Sequence, residues 1–275
     1  MTEFRSFYKR SPLSHDISNL VYSDQSTLIP DPVTPTNIKV QAQGWSVSEN
    51  GQRFYIDSES NKANQYRLNP PYSIDSVFYD NKFTSSIINN DLAIDSPEST
   101  LFALESSNRQ VQQYTFSTPR DISTATPAGK SFPISSNFGT NIGQSIFVGN
   151  NGTEVYVLGT NGDLYQYTLG TSWDASTKQL GFKFLDVTQN TFLYGIEFNP
   201  NGTRMIIGEV HSARKIHQYT LSTPWDISTA TSNFTLSTPE VTGVHGMKWD
   251  TDGTELLVLS NISVGNHRIY RYTYM

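Results

Sequence analysis

The feature that most constrains this chain is a three-part pattern that returns along its length at intervals of roughly 50 residues. The first part is a turn, written SENGQ ending at Gln52, NNGTE ending at Glu154, PNGTR ending at Arg204 and TDGTE ending at Glu255. Its glycines fall at Gly51, Gly152, Gly202 and Gly253, and the phase leaves one slot, near Ser99 in SPEST, without a glycine. The second part is a tyrosine closing an alternating run, at Tyr66, Tyr114, Tyr167, Tyr219 and Tyr272. Seven residues later comes the third part, PPYSIDS, STPRDISTA, TSWDAS and STPWDISTA, with Asp121, Asp174 and Asp226 in the last three and Asp75 displaced by two in the first.

Between these marks lie short β-rich runs such as Thr203 to Gly208 and Glu255 to Leu259, bounded by turn residues, and helical periodicity is absent almost throughout. Asn-Gly and Asp-Gly supply the positive φ of a tight hairpin, so the first turn should join the two innermost strands of each unit. Four antiparallel strands per unit at this period predict an all-β fold, a single β-propeller of about five four-stranded blades, since each such sheet buries its faces only by stacking on its neighbours. The last unit stops after its third strand at Met275, while Ser14-His15-Asp16-Ile17-Ser18 matches the DIS that opens a fourth. The expected organisation is a tail over 1–13, a closing strand over 14–22 paired with the C-terminal blade, and blades over 44–91, 92–143, 144–194, 195–245 and 246–275. Six blades would need a further divergent repeat between Asp16 and Gly44.

Composition narrows the partners. Charged residues are 16 % of the chain, the net charge is −6 and the 19 Lys plus Arg are scattered, so there is no basic stripe for a phosphate backbone and nucleic acid is not an expected partner. There is no cysteine, hence no disulfide or thiolate site. No apolar window is long enough for a membrane span, and the N-terminus lacks the apolar core of a signal peptide, which implies synthesis in a cytoplasm.

No cofactor or metal is expected. Asp250, Asp252 and Glu255 in WDTDGTE have a spacing that could wrap a hard cation, but the sister turns NPNG, GNNG and SENG show that the position asks for turn formers. The five histidines, His15, His211, His217, His245 and His267, form neither HExxH nor H-x-H. No nucleophile elbow, phosphate loop or Asp-box is present, so no catalytic residue is assigned. Trp173 and Trp225, with Arg120 and Tyr72 at related positions, read as packing between neighbouring blades. The candidate ligand site is a ring of residues eight before each turn position, Gln43, Asp91, Gln144, Tyr194 and His245, which pseudo-symmetry should bring to one mouth of the central channel. The alternative there is a water-filled polar mouth.

NPNGTRMII followed by HQYTLSTPWDISTA resembles the repeat of propeller proteins common in bacteriophage and marine bacterial genomes, in which an NGT-type turn precedes Y-x-L-S-T-P-W-D-I-S. The likeness runs from about Phe7 to Met275, strongest over Gly195 to Ala230. It implies a virion appendage or surface-binding protein, with other virion proteins or a host-surface polysaccharide as partners and the virion as location. The expected function is therefore non-enzymatic binding; a propeller glycosidase or lyase, or a bacterial adhesin, are the alternatives.

Overall fold

A computed structural model describes residues 15–30, 42–58, 62–84, 90–105, 107–134, 143–159, 162–187, 192–210, 214–263 and 266–274. The expected tail over 1–13 and His211 lie outside the described residues. The first strand, β1 (Leu20–Leu28), belongs to the last blade. Blade 1 comprises β2 (Ala42–Val47), β3 (Arg53–Ser58), β4 (Lys62–Leu68) and β5 (Val77–Thr84). Blade 2 comprises β6 (Asp91–Ile94), β7 (Thr100–Glu105), β8 (Gln110–Phe116) and β9 (Ala125–Pro133). Blade 3 has β10 (Gly143–Gly149), β11 (Glu154–Gly159), β12 (Asp163–Thr168) and β13 (Lys183–Asp186). Blade 4 has β14 (Leu193–Phe198), β15 (Arg204–Glu209), β16 (Lys215–Leu221) and β17 (Ala230–Ser237). Blade 5 joins β18 (Gly246–Trp249), β19 (Glu255–Ser263) and β20 (Asn266–Tyr274) to β1 in the order β1-β20-β19-β18. The protein is thus a five-bladed β-propeller closed by pairing of an N-terminal strand with the C-terminal blade.

The closing segment differs from the expected 14–22. Asp16 is an N-cap whose carboxylate accepts from the Ser18 N–H, so Ile17–Asn19 forms a short 3-10 turn, and the strand begins at Leu20 and runs to Leu28. The same device recurs at Asp121, Asp174 and Asp226, so DIS marks the turn before each fourth strand. In blade 1 the two polar roles are exchanged: Ser73 stands in the cap position, and its hydroxyl and the Asp75 N–H and carboxylate lie within bonding distance. This accounts for the displaced aspartate.

The second strand of each blade carries the least polar sequence because it is covered on both faces by neighbouring blades. Leu101–Leu104, Val155–Leu158 and Leu256–Leu259 are completely buried. The outermost strands keep a solvent side, and β17 there is rich in Ser and Thr. Five apolar cores result, one at each junction between successive blades; that between blades 4 and 5 takes Ile17 and Leu20 from the closing segment.

A polar latch repeats at four of these junctions. The glutamine before each blade tyrosine accepts the first N–H of the next blade's 3-10 turn: Gln65 from Ile122 at 3.0 Å, Gln113 from Ala175 at 3.0 Å, Gln166 from Ile227 at 3.1 Å and Gln218 from Ile17 at 2.9 Å. Each capping aspartate also meets a cation of the preceding blade, in Lys82–Asp121, Lys130–Asp174, Lys183–Asp226 and Arg204–Asp16. Between blades 5 and 1 the glutamine position holds Arg271, which cannot accept, and the cap position holds the uncharged Ser73, so neither bond can form. Arg271 pairs instead with Glu255 of its own blade.

Candidate functional site

The innermost strands β2, β6, β10, β14 and β18 surround the channel, and their alternation divides the side chains. One set enters the cores between blades, as Val47, Ile146, Phe198 and Trp249 do. The other stands at one repeat position, Ser46, Ala93, Phe147, Glu197 and Lys248, where Ala93 is also part of the core between blades 2 and 3 and Phe147 also stacks on Phe198 of blade 4. These five line a bowl of about 890 Å³ that opens on the face of the Asn-Gly and Pro/Asp turns. Its rim includes Glu49, Tyr72, Pro97, Asn151, Ser172 and Thr251, with the rings of Trp173 and Trp225 beside them.

Within this wall Lys248 Nζ lies 3.0 Å from Glu197 Oε1. Burial raises the pKa of the Glu197 carboxyl, although Lys248 and the Trp249 N–H pull it back. Burial works against the Lys248 ammonium too, but the adjacent Glu197 outweighs it and leaves Lys248 above its ordinary value. A buried ion pair of this kind survives desolvation only because each charge has the other.

The floor of the bowl is Asp91. By strand register it occupies the place of Gly44, Ser145, Gly195 and Gly246, one residue beyond the ring proposed from spacing, whose blade 2 member is Asn90. The difference follows from the turn: the positive-φ slot in SPEST is Glu98, with φ +55, not Ser99. The Asp91 side chain bridges to the neighbouring innermost strand, β10. One oxygen accepts from the Leu92 N–H, and the other from the Ser145 hydroxyl at 2.7 Å and the Ile146 N–H at 2.9 Å. The absent side chain of Gly44 makes the room, since a Cβ there would meet Asp91 Oδ1 at 1.9 Å.

Burial pushes the Asp91 carboxyl up to about 7 despite these donors. An aspartate in the unfolded chain titrates near its ordinary 3.8. Between those values the folded protein holds a proton that the unfolded chain has lost, so this group's contribution to stability is greatest below pH 4, declines as pH rises and is gone above 7. The span is worth on the order of 4 kcal/mol. Urea unfolding should therefore show wild type losing stability relative to Asp91→Asn between pH 5 and 8; parallel curves would place the proton elsewhere.

The remaining members of the proposed ring stand at or just before the start of their innermost strands. Gln43 lies on β2, with its side chain outside the described residues, and Gln144 is half-buried on β10. Tyr194 and His245 do meet, their ring centroids 5.7 Å apart, and burial lowers the His245 pKa to about 4, keeping it neutral. Only Asp91 and His245 reach the bowl, from below. The bowl opens at the face opposite to the one that spacing singled out. A signal for it was present: Glu197 and Lys248 stand at the same repeat position of GIEFNPNG and GMKWDTDG, inside otherwise apolar runs.

The suspected cation turn is occupied by the protein itself. Asp250 accepts from the Thr254 and Glu255 N–H groups and the Thr254 hydroxyl, as Asp95 does in its sister turn from Ser99 and Thr100. Among the described residues no cluster of His, Asp and Glu is arranged to hold a metal, and no helix is long and apolar enough to cross a membrane. Trp173 lies over Gly152 and reaches Phe102 of the preceding blade at 5.1 Å; Trp225 lies over Gly202 and against Phe198 at 5.4 Å.

No protein-family model and no curated protein matches the chain. Among solved structures it is similar to hydrazine synthase of Kuenenia stuttgartiensis, with a TM-score of 0.50 and 11 % identity over 84 % of this chain and 58 % of that one, so it spans less than two thirds of that protein. It is also similar to a protein from Lactobacillus plantarum (TM-score 0.46, 12 % identity, 86 % of this chain, 72 % of that one). A third likeness is to the β-propeller domain of Cps50 (Swd1) from Myceliophteria thermophila (TM-score 0.48, 11 % identity, 83 % of this chain, 82 % of that one). At 11 % identity the likeness to hydrazine synthase speaks to the fold and to nothing finer.

Proposed function

We propose that this propeller is a non-enzymatic binding protein whose bowl receives a saccharide unit, and that it serves on a phage particle as an appendage or decoration touching a host-surface glycan or another virion protein. The observation that carries the reading is the bowl: at about 890 Å³ it falls within the size range of small-ligand pockets, and it sets half-buried Tyr72, Trp173 and Trp225 beside amide and hydroxyl side chains. A sugar ring has apolar C–H faces and a polar edge, so it can stack on an aromatic face while its hydroxyls exchange hydrogen bonds with Asn and Ser. Binding is favoured over hydrolysis because the bowl's buried carboxylates are committed to structural partners, Glu197 to Lys248 and Asp91 to Ser145 and backbone N–H groups. The low charge content of the chain and the Ser- and Thr-rich outer strand of blade 4 suit an exposed setting.

Two measurements test this. Ser46→Trp, which fills the bowl from one wall, should reduce retention on a glycan array about tenfold or more while shifting the melting temperature little. Equal retention by the filled variant would exclude the bowl as the site. Mass spectrometry of purified particles should find the chain in stoichiometric amount, and its absence would remove the virion from the proposal.

A further inference from the structure

The five inward positions differ from one another in an ordered way. Taken around the ring, Glu197, Lys248 and Ser46 are consecutive and polar, and Ala93 and Phe147 are consecutive and apolar. The bowl is therefore split into a hydrogen-bonding side and a hydrocarbon side. On the first, Glu197 Oε1 and Lys248 Nζ are bonded to each other at 3.0 Å, and the pair keeps a second lone pair and further N–H donors for two neighbouring hydroxyls of one ring. On the second, below the amides and hydroxyls of the rim, a ligand hydroxyl would lie against the hydrocarbon of Ala93 and the half-buried Phe147, which costs more than placing a methyl group there.

Charge sharpens the choice. Apart from Asp91, whose burial disfavours its charge, the lining carries four carboxyl groups, Glu49, Asp95, Glu197 and Asp250, against the single ammonium of Lys248, which is already paired. An anionic ligand entering this cup meets net repulsion in a partly desolvated space.

We infer that the bowl selects an uncharged sugar ring with two adjacent hydroxyls on one edge and a methyl group on the other, which is the chemistry of a 6-deoxyhexose. The hydroxyl pair is held by Glu197 and Lys248 and the methyl edge lies against Phe147 and Ala93. This rests on the reading of the bowl as a saccharide site and adds the class of sugar.

The test is an NMR titration of the whole protein with methyl glycosides of rhamnose and fucose, of mannose and galactose, and of glucuronic acid. The 6-deoxyhexoses should bind about five- to tenfold more tightly than the hexoses, and the uronic acid at least a further tenfold more weakly. Lys248→Met and Glu197→Gln should each weaken the deoxyhexose about tenfold. Because either change leaves a buried partner unpaired, the double variant Glu197→Gln/Lys248→Met, which removes both charges together, serves as the folded control and should show the same loss. Phe147→Ser should narrow the gap between deoxyhexose and hexose. If the uronic acid binds as well as the deoxyhexose, and Ser46→Trp abolishes both, the bowl is a saccharide site but the sugar class is wrong. If no glycoside of the panel binds, or binding survives Ser46→Trp, the reading of the bowl falls with it.

Discussion

Removal of residues 1–28 should abolish the cooperative unfolding transition of the whole propeller. The deletion takes away β1, whose register with β20 runs from Leu20 opposite Tyr274 to Leu28 opposite Arg268, and it takes Ile17 and Leu20 out of the core between blades 4 and 5. Burial of two such side chains is worth about 1.5–3 kcal/mol each. The Gln218 latch, the Arg204–Asp16 pair and the packing of Tyr22 against Tyr270 and Tyr272 disappear with them. The sum reaches the 5–15 kcal/mol of an ordinary domain's total stability. It also leaves β20 as an open edge carrying tyrosines, a template for another chain. Circular dichroism with size-exclusion chromatography should show a broadened transition and association, and a peptide of residues 15–28 added in trans should restore the transition. A truncated protein that melts as sharply as wild type and stays monomeric would refute closure by this strand.

Gly202→Val should cost roughly 3–5 kcal/mol, among the largest effects of any single exchange here. Two penalties coincide. Gly202 has φ +69, a region that a β-branched residue enters only under strain. A Cβ at this point would also lie 2.3 Å from Trp225 Cδ2, because the indole rests on the bare glycine while its backbone N–H bonds the glycine carbonyl. Ser99→Val should cost only about 1 kcal/mol, the worth of the hydroxyl bond to Asp95. Combining Gly202→Ala with Trp225→Ala should be clearly less damaging than the two single costs added, since the second change removes the object of the clash. Urea midpoints measure all five variants; strict additivity would mean that ring and glycine are not in contact.

The same pairing explains the unit without a glycine. Where Glu98 replaces it, no ring could lie over the turn, and the overlying residue is Arg120, whose guanidinium pairs with the Glu98 carboxylate at 3.6 Å. Arg53 and the Tyr55 hydroxyl reach the same carboxylate from blade 1. Four turns use a glycine under a ring and one uses an acid under a base, and in both versions the overlying residue itself takes positive φ.

The repeat phase made the blade count and the ring closure readable, because turn glycines and strand tyrosines are fixed by backbone conformation and by burial between sheets. Boundaries were less readable. In DIS the apolar Ile looks like the first strand residue, yet the carboxylate of the preceding Asp bends the chain into a 3-10 turn, a local competition that hydrophobic patterning does not express. The slot at Glu98 was missed by one position because only glycine was taken as a mark of positive φ, and that slip carried Asp91 into a ring to which Asn90 belongs. The bowl was missed because its chemistry comes from single inward residues of five strands roughly 50 positions apart.

The pairing of β1 with β20 has a mechanical consequence. The strands are antiparallel, with Leu20 beside Tyr274, so the chain enters and leaves the ring at the same end of one ladder. Tension applied through the two flanks would not shear the six pairs at once; after the Ile17 turn and its Gln218 bond had given way, it would load one pair and then the next, as a zipper is drawn. A closure whose loss costs so much at equilibrium therefore offers little resistance to a pull on its ends, while the same ring, gripped through opposite blades, must yield a whole apolar core in one step.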